Sequence, residues 1–268
     1  MTVHVREAEG ISNIIRSIGT TGFGNILDRN LQSHIDFDMS CIFVFTFNDR
    51  PVLVHDGYSR TVSRKALDAY MRGGYLLDPF YVACVNEHPA GLWRMSELAP
   101  DSFFNSGFVI ARDIHPCVSS EAGALVEEIG FIVPLKGRTA AVYSLMRNQG
   151  KQPFSEPEIE ALRSMAPVLS AAISSHHQQV IPAVNTSHEK EDIEATFLGV
   201  FQDTLTPTQR IVARLILRGH SNLSIARNMN ISEGTAKIHR SNIYKRLSIS
   251  SQSELFQLFI GYLTNEHH

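Results

Sequence analysis

The sequence has no apolar run long enough to cross a membrane, since none approaches the roughly 18–20 residues that a spanning helix needs. Its first ten residues are polar and mixed in charge, which is not typical of a secretion signal. We therefore expect a cytoplasmic protein that neither enters nor binds a membrane.

Cysteine is scarce, with only Cys41, Cys84 and Cys117 in the chain. Their odd number and lack of paired spacing do not indicate a disulfide framework and fit a reducing compartment. We expect them to be inert core residues.

The chain also lacks a phosphate-binding loop, a nucleophile elbow and a metal-binding motif. The pairs His176–His177 and His267–His268 are sequence neighbours, which diverge around a helix and do not share a ligand geometry easily. Asp78, Cys84 and His88 are close enough in sequence to suggest a nucleophile with its base, but no further motif supports this alternative. We predict that the protein is not an enzyme and has neither a cofactor nor a metal site.

The composition does support a packed core, because 43% of the 268 residues are hydrophobic and 19% are charged. This length is natural for two domains. Residues 178–194 are polar and contain a proline, so they read as a linker. We predict a first domain over residues 1–177, a linker over 178–197 and a second domain over 198–268.

The second domain carries the start and stop signals of several helices. Thr206, Pro207 and Gln209 provide a capping hydroxyl, a proline at the first helical position and a reciprocal glutamine. Gly219 is placed to end that helix, and Ser221 or Asn222 can cap a second one. Ser232 can cap a third helix that runs to Leu247, after a short turn. Two helices joined by such a turn are a helix-turn-helix, whose second helix enters the major groove of DNA.

The third helix separates packing residues from basic ones. Ala236, Ile243 and Leu247 form one apolar stripe, whereas Lys237, Ser241 and Lys245 lie four residues apart on another face. Residues 203–250 contain eight Lys or Arg against two Asp or Glu, a net charge of +6 in a chain whose total is −3. This asymmetry is the electrostatic pattern expected of a phosphate-binding surface.

The segment from Leu205 to Tyr262 resembles the DNA-binding domain of LuxR/FixJ-type transcription regulators over about 58 residues without a gap. Gln209 and Ala236 replace a usual Glu and Val. The resemblance implies base contacts from Lys237, Ile238, Ser241 and Lys245, and phosphate contacts from Thr235, His239, Arg240 and Arg246. It also implies a fourth helix used in dimerisation. Either this role or closure of the domain core would explain the stripe of Leu255, Leu258, Phe259 and Tyr262.

The first domain alternates strand-like and helical stretches. Apolar strands are predicted at residues 39–47, 52–55, 129–135 and 139–146, the last two as a hairpin. Ile11, Ile14, Ile15 and Ile18 are spaced as the buried stripe of a first helix, and other helices are predicted at residues 25–34, 63–72, 80–87 and 157–176. The fold class is therefore α+β: a PAS/GAF-like α-β-α sandwich around a central antiparallel sheet, followed by an all-α domain of four helices.

This first domain also resembles the autoinducer-binding domain of quorum-sensing LuxR proteins. The matching residues are Tyr70, Asp78–Pro79, Trp93 and Gly130 with Pro134. The resemblance implies that Asp78 accepts an amide N–H of an acyl-homoserine lactone, that Tyr70 bonds the acyl carbonyl and that Trp93 contacts the head group. Tyr58 and Tyr75 are further candidates. The alternatives are that Asp78 is only a helix cap and that the aromatic residues are only core.

One family residue is replaced. Ala66 stands where relatives have a tryptophan that donates to the lactone carbonyl. Since an unpaired buried carbonyl costs roughly 1–3 kcal/mol, we expect an acyl-homoserine lactone-like ligand or another small molecule that keeps an N–H for Asp78, such as an amide or amine.

These features predict a ligand-responsive transcription regulator that binds a near-palindromic promoter site as a homodimer, with RNA polymerase as a candidate partner. The alternative is a helix-turn-helix regulator whose first domain is a ligand-independent oligomerisation or protein-interaction module. A first-domain cavity too small for a ligand would favour that alternative.

Overall fold

A five-stranded antiparallel sheet forms the centre of the first domain, in the order β2-β1-β5-β4-β3. The computed structural model describes residues 2–46, 50–58, 64–105, 125–148, 150–180 and 199–265. Cys117, most of the predicted linker and the pair His267–His268 lie outside them. The strands are β1 (Met39–Thr46), β2 (Val52–Gly57), β3 (Gly91–Arg94), β4 (Leu125–Pro134) and β5 (Thr139–Asn148).

Helices cover both faces of this sheet. One face is packed by α1 (Thr2–Ser17), α2 (Phe23–Gln32) and α6 (Glu156–Val180). The other is packed by α3 (Arg64–Arg72), the 3-10 helix Gly74–Leu77, α4 (Pro79–Val85) and α5 (Met95–Leu98). Strand alternation explains the two cores, because Ile42 of β1 faces the first layer and its neighbours Cys41 and Phe43 face the second.

The predicted stripe of α1 is wrong in part. Ile14 is completely buried, but the side chains of Ile11 and Ile15 are 38% and 60% exposed. The helix packs against α2 and α6 along a narrow line, and Ser17 supplies the next buried position by bonding the Ile14 carbonyl. Helical spacing therefore identified the face but overestimated its width.

A polar cluster holds α2 on the sheet. The carboxylate of Asp28 accepts from the hydroxyls of Ser40 and Tyr143, at 2.8 and 2.7 Å, and lies 2.7 Å from His55 Nε2. Gly24 lets the His55 ring lie against α2, since a Cβ on Gly24 would be 2.2 Å from that ring. None of these polar contacts was predicted, because they join residues far apart in sequence.

Gly130 is required where α4 crosses β4. A Cβ at this position would lie 2.6 Å from the ring of Phe80, which is fully buried. We expect Gly130→Ala to lower the free energy of unfolding of the first domain by about 1–3 kcal/mol, because the ring must be displaced within a packed core. Urea unfolding followed by the fluorescence of Trp93, the sole tryptophan, measures this change.

The matched control is Gly234→Ala, in the second domain. There the added methyl meets nothing closer than Ser232 Oγ, at 3.7 Å. The Trp93 transition of this control should be unchanged. Equal transitions for the wild type and Gly130→Ala would contradict the proposed packing role.

The second domain is a four-helix unit, as predicted. Its helices are α7 (Pro207–Leu217), α8 (Asn222–Met229), α9 (Glu233–Arg246) and α10 (Gln252–Asn265). The capping box of Thr206 and Gln209 and the N-caps Ser221 and Ser232 are all present. Gly219, with φ of +88°, follows α7, and Asn230, with φ of +54°, ends α8 in the left-handed region.

The predicted fold class is confirmed, with several local differences. The 3-10 helix Gly74–Leu77 and helix α5 were not predicted, and β4 begins four residues earlier than predicted. Strand β3 was not predicted, because four residues with one apolar buried position carry little periodic signal. Helix α6 runs to Val180, three residues into the stretch predicted as linker.

Candidate functional site

Helix α9 presents its basic face away from the core of the second domain. Ala236 and Ile243 are completely buried on one side, with Leu247 packed beside them. The turn from Asn230 to Ser232 sets α9 against α8, the pair that forms the helix-turn-helix. The predicted packing stripe is therefore confirmed.

The four residues predicted to face bases are all exposed: Lys237, Ile238, Ser241 and Lys245. The Ile238 side chain is 62% exposed, which is unusual for a large apolar residue and suits contact with a thymine methyl. Lys237 forms an exposed i,i+4 pair with Glu233 at 2.9 Å, which is weak enough to exchange for DNA. The three polar residues of this set line one open groove of about 470 Å³, together with Arg240 and Tyr244: Lys237, Ser241 and Lys245.

The residues predicted to contact phosphates are placed less uniformly. Thr235 accepts or donates within the cap of α9, 2.8 Å from Ser232 Oγ. The guanidinium of Arg240 donates to the His220 carbonyl at 3.2 Å, and that of Arg246 donates to the Gln209 side chain at 3.1 Å. His239 is half-buried. Arg240 and Arg246 thus also brace the domain, a role that the sequence did not indicate.

Helix α10 mainly closes the domain core. Leu255 and Phe259 are completely buried, and the Tyr262 ring lies 6.4 Å from that of Phe201. Leu258 is the member of the predicted stripe whose side chain is 40% exposed. Closure of the domain core therefore explains Leu255, Phe259 and Tyr262. A role of Leu258 in dimerisation stays a prediction.

A small cavity lies between the sheet and helices α3 and α4 of the first domain. Its volume is about 10 Å³, room for about one water molecule. Among the predicted ligand-binding residues, Tyr58, Tyr70 and Asp78 line it. The remaining lining residues come from the sheet and α4: Cys41, Phe43, Phe45, Phe80, Glu128, Val142 and Ser144.

Asp78 is both a helix cap and a cavity residue. One carboxylate oxygen accepts from the Phe80 N–H at 2.8 Å, with Pro79 at the first helical position, which confirms the predicted N-cap. The other oxygen accepts from the Tyr70 hydroxyl at 2.6 Å. Burial, and next the charge of Asp78, raise the pKa of Tyr70 well above its usual value. Tyr70 is therefore a fixed donor to Asp78.

Glu128 was missed by the sequence reasoning. It lies on β4, is 4% exposed, and its Oε2 has no hydrogen-bond partner. Burial raises the pKa of Glu128 to about 8, and the charge of Asp78 acts in the same direction. Strand alternation could have found it, because Glu128 shares a face with Gly130 and Ile132.

Two predicted ligand contacts lie away from this lining. The indole N–H of Trp93 donates to the Pro89 carbonyl at 2.9 Å, and its ring packs on His88. Tyr75 is buried edge-on between Tyr70 and Tyr81. Tyr75 therefore belongs to the aromatic packing next to the cavity, whereas Trp93 packs on His88 outside its lining.

The two domains are joined close to the cavity. The N–H and hydroxyl of Ser221 donate to Asp101, and the Ser102 N–H donates to the Gly219 carbonyl at 3.0 Å. The Arg218 guanidinium donates at 3.4 Å to the carbonyl of Leu76, two residues before Asp78. Gly219 is needed here, because a Cβ would lie 2.5 Å from the backbone of Phe103.

The nucleophilic groups near these sites do not form a catalytic arrangement. Burial, and then Asp78, raise the pKa of Cys84 to about 12, so its thiol stays protonated and unreactive. Ser40, His55 and Asp28 are in contact, but the same His55 Nε2 faces both partners, at 3.2 and 2.7 Å. A proton relay would need the two opposite ring nitrogens.

The described part of the chain contains neither a metal-binding cluster nor a membrane-spanning helix. Within it, His, Cys, Asp and Glu form no group of three or more that could hold a metal ion. No helix there is both long and apolar enough to span a membrane.

The fold and the exposed basic helix define a class of protein, the helix-turn-helix transcription regulators. Residues 203–259 match the family model "Bacterial regulatory proteins, luxR family". The C-terminal domain therefore belongs to the luxR family of bacterial regulatory proteins.

Individual relatives agree with this assignment. The chain is 28% identical over 196 residues to a protein of Aeromonas salmonicida named as an HTH-type transcriptional regulator in the exeN 3'region, covering 69% of this chain and 94% of that protein. It is 30% identical over 107 residues to the response regulator protein TodT of Pseudomonas putida, covering 40% of each.

A solved structure agrees with the first domain. The crystal structure of the VqsR LBD domain from Pseudomonas aeruginosa matches with a TM-score of 0.53 and 19% identity, covering 64% of this chain and 96% of that one. This likeness shows a shared fold.

Proposed function

We propose that this chain is a ligand-responsive regulator that binds promoter DNA as a homodimer at a near-palindromic site. The observation that carries the DNA-binding half is the exposed basic face of α9, opposite a fully buried packing stripe. Residues 1–177 form the sensing domain, 178–197 the linker and 198–268 the DNA-binding domain.

The side chains of α9 make two kinds of contact with DNA, one with base edges and one with phosphates. Lys237, Ile238, Ser241 and Lys245 read base edges, since they are exposed on the face that would enter the major groove. Thr235, His239, Arg240 and Arg246 contact phosphates, which fix the position of the helix and carry little sequence information.

The sensing half is supported by the buried cavity and its position. Asp78, which lines the cavity, is two residues from the carbonyl that accepts from Arg218 of the DNA-binding domain. A ligand that shifted Asp78 or the preceding 3-10 helix would therefore change a contact between the domains. The ligand would shift the equilibrium between two arrangements of the domains, and with it DNA binding. The size of that shift is set by how much more tightly the ligand binds one arrangement than the other.

A thermal-shift screen tests the sensing half. Purified protein is screened against acyl-homoserine lactones, amides and amines, with Asp78→Asn as the variant. Asn keeps the helix cap but removes the charge. A ligand at a hundred times its Kd stabilises the fold by about 2.7 kcal/mol, which raises Tm visibly. We expect one class to raise the Tm of the wild type and to act less on Asp78→Asn. No shift with any class would contradict ligand sensing.

The size of the cavity favours a second candidate. A volume of about 10 Å³ is much smaller than a typical ligand pocket of roughly 300–1,000 Å³. The first domain would then be a ligand-independent oligomerisation or protein-interaction module. The same screen separates the two, since this candidate predicts no shift while DNA binding and self-association persist.

The remaining assignments follow from the regulator function. DNA binding places the protein in the cytoplasm, with RNA polymerase as a candidate partner. We propose no catalytic role, because the Cys84 thiol is held protonated and His55 is oriented as a structural residue.

A further inference from the structure

We propose that the cavity of the first domain binds the ammonium group of a small protonated amine, held between the carboxyl groups of Asp78 and Glu128. This inference rests on the sensing function proposed above and names the chemical class of the ligand.

The carboxyl groups of the cavity are hydrogen-bond acceptors, and the neighbouring protein donors already donate to them. The Tyr70 hydroxyl and the Phe80 N–H donate to Asp78, and Ser144 donates to Glu128. Glu128 Oε2 remains without a partner although it is buried. A buried polar atom of this kind costs about 1–3 kcal/mol unless it is satisfied. A ligand that brings several N–H donors satisfies it, whereas a single amide N–H would serve only one carboxyl group.

The charge of the site selects a cation. Burial, and next the charge of Asp78, raise the pKa of Glu128 to about 8, so the two carboxyl groups are not readily ionised together. An ammonium ion between them favours the ionised form of both. A neutral ligand leaves Glu128 protonated and forms no ion pair with the second carboxyl group.

The walls and size of the cavity suit the same group. Its lining includes the rings of Phe43, Phe45, Tyr58, Tyr70 and Phe80. Aromatic faces attract cations, most strongly where water is excluded. A space of about 10 Å³ has room for about one water molecule and therefore matches an ammonium head in size.

The cavity offers fewer hydrogen-bond donors for a lactone or acyl carbonyl. The indole N–H of Trp93 is already bonded to the Pro89 carbonyl. Among the lining hydroxyls, that of Tyr70 already donates to Asp78 and that of Ser144 to Glu128.

The test compares matched ligands on the full chain. Primary amines from methylamine to phenethylamine are set against the corresponding alcohols and N-acetyl amides, using Tm shifts and titration calorimetry at pH 8. We expect an amine to bind at least about tenfold more tightly than its alcohol and its amide. Glu128→Gln should lose about tenfold or more of amine affinity, because a hydrogen bond to a charged group is lost. Glu160→Gln, an exposed position with the same change in charge, should bind as the wild type.

A pH series gives a readout that a structural role of Glu128 would not produce. The ionisable groups that line the cavity with Glu128 are Asp78 at the start of α4, Tyr70 of α3, Cys41 of β1 and Tyr58, which follows β2. Tyr70 stays protonated throughout, since its pKa is raised further above neutrality. Amine binding should release a proton from Glu128 below its pKa of about 8, so affinity should rise several-fold between pH 6.5 and 8.5. Glu128→Gln should abolish this rise.

The outcomes separate this inference from the sensing function. Lactones or amides that raise Tm while no amine does would overturn the amine proposal and keep the sensor. A lack of any shift would overturn both. Amine binding that is unchanged in Glu128→Gln would overturn the assigned site.

Discussion

Replacing Lys237 and Lys245 together by alanine is expected to abolish sequence-specific DNA binding while the domain stays folded. Both side chains are exposed on α9 and neither contributes to the buried stripe. Each lost base contact costs about 1–3 kcal/mol, and the proposed dimer would lose four, so affinity for a selected duplex should fall at least about 1,000-fold. The salt dependence of residual binding should also weaken, because fewer counterions are released.

The matched control removes the same charge elsewhere. Lys136→Ala with Arg138→Ala changes two exposed residues of the β4–β5 turn in the first domain. This control should retain wild-type affinity in a gel shift. If the α9 variant also bound with unchanged affinity, α9 would not be the recognition helix.

Arg147→Met is expected to destabilise the first domain by about 1–3 kcal/mol, because it removes charge-assisted hydrogen bonds from a part-buried ion pair. Arg147 lies at the end of β5, where its guanidinium bonds Glu158 of α6 at 2.6 Å and the Asp36 carbonyl at 2.7 Å. It also lies 4.1 Å from the centre of the Phe154 ring. The loss should appear as a lower urea midpoint in Trp93 fluorescence.

The pH dependence identifies the ion pair as the cause. Hydrogen bonds from Arg147 lower the pKa of Glu158 to about 2, from 4.5 for an unperturbed glutamate, although partial burial opposes the shift. Since the folded pKa is the lower one, this stabilisation is fully present above pH 4.5 and is lost as pH falls towards 2. Arg147→Met should show a smaller loss over that window.

The control for this variant is Arg163→Met. Arg163 lies on helix α6, the helix that Arg147 of β5 contacts through Glu158. Arg163 pairs with Glu160 at the surface, where both side chains are exposed. Such pairs contribute about 0–1 kcal/mol, so the midpoint should scarcely change. Equal midpoints for both variants would show that Arg147 does not anchor α6.

The second domain could be predicted almost completely because its signals are local. Caps at Thr206, Ser221 and Ser232 fix where three helices begin, and the spacing of Ala236 and Ile243 fixes which side of α9 is buried. The bracing roles of Arg240 and Arg246 are the exception, since their acceptors lie 20 and 37 residues earlier.

The first domain was predicted in outline and missed in detail. Its hairpin and both helical layers follow from alternation and helical spacing, but the exposed side of α1 depends on what packs against it. Asp78 was recognised through its place before Pro79, whereas Glu128 acquires its role only when β4 pairs with β5 and faces α4. The contacts of Asp101 with Ser221 join residues 120 apart and have no local signal.

Selection from a pool of random DNA duplexes tests the central claim, that this chain is a sequence-specific DNA-binding regulator. The full chain is incubated with the pool, with and without the amine panel, and the bound duplexes are sequenced. The account predicts enrichment of a near-palindromic motif in at least one condition, and its loss when Lys237 and Lys245 are replaced by alanine. Bound DNA with no enriched motif in either condition would contradict it.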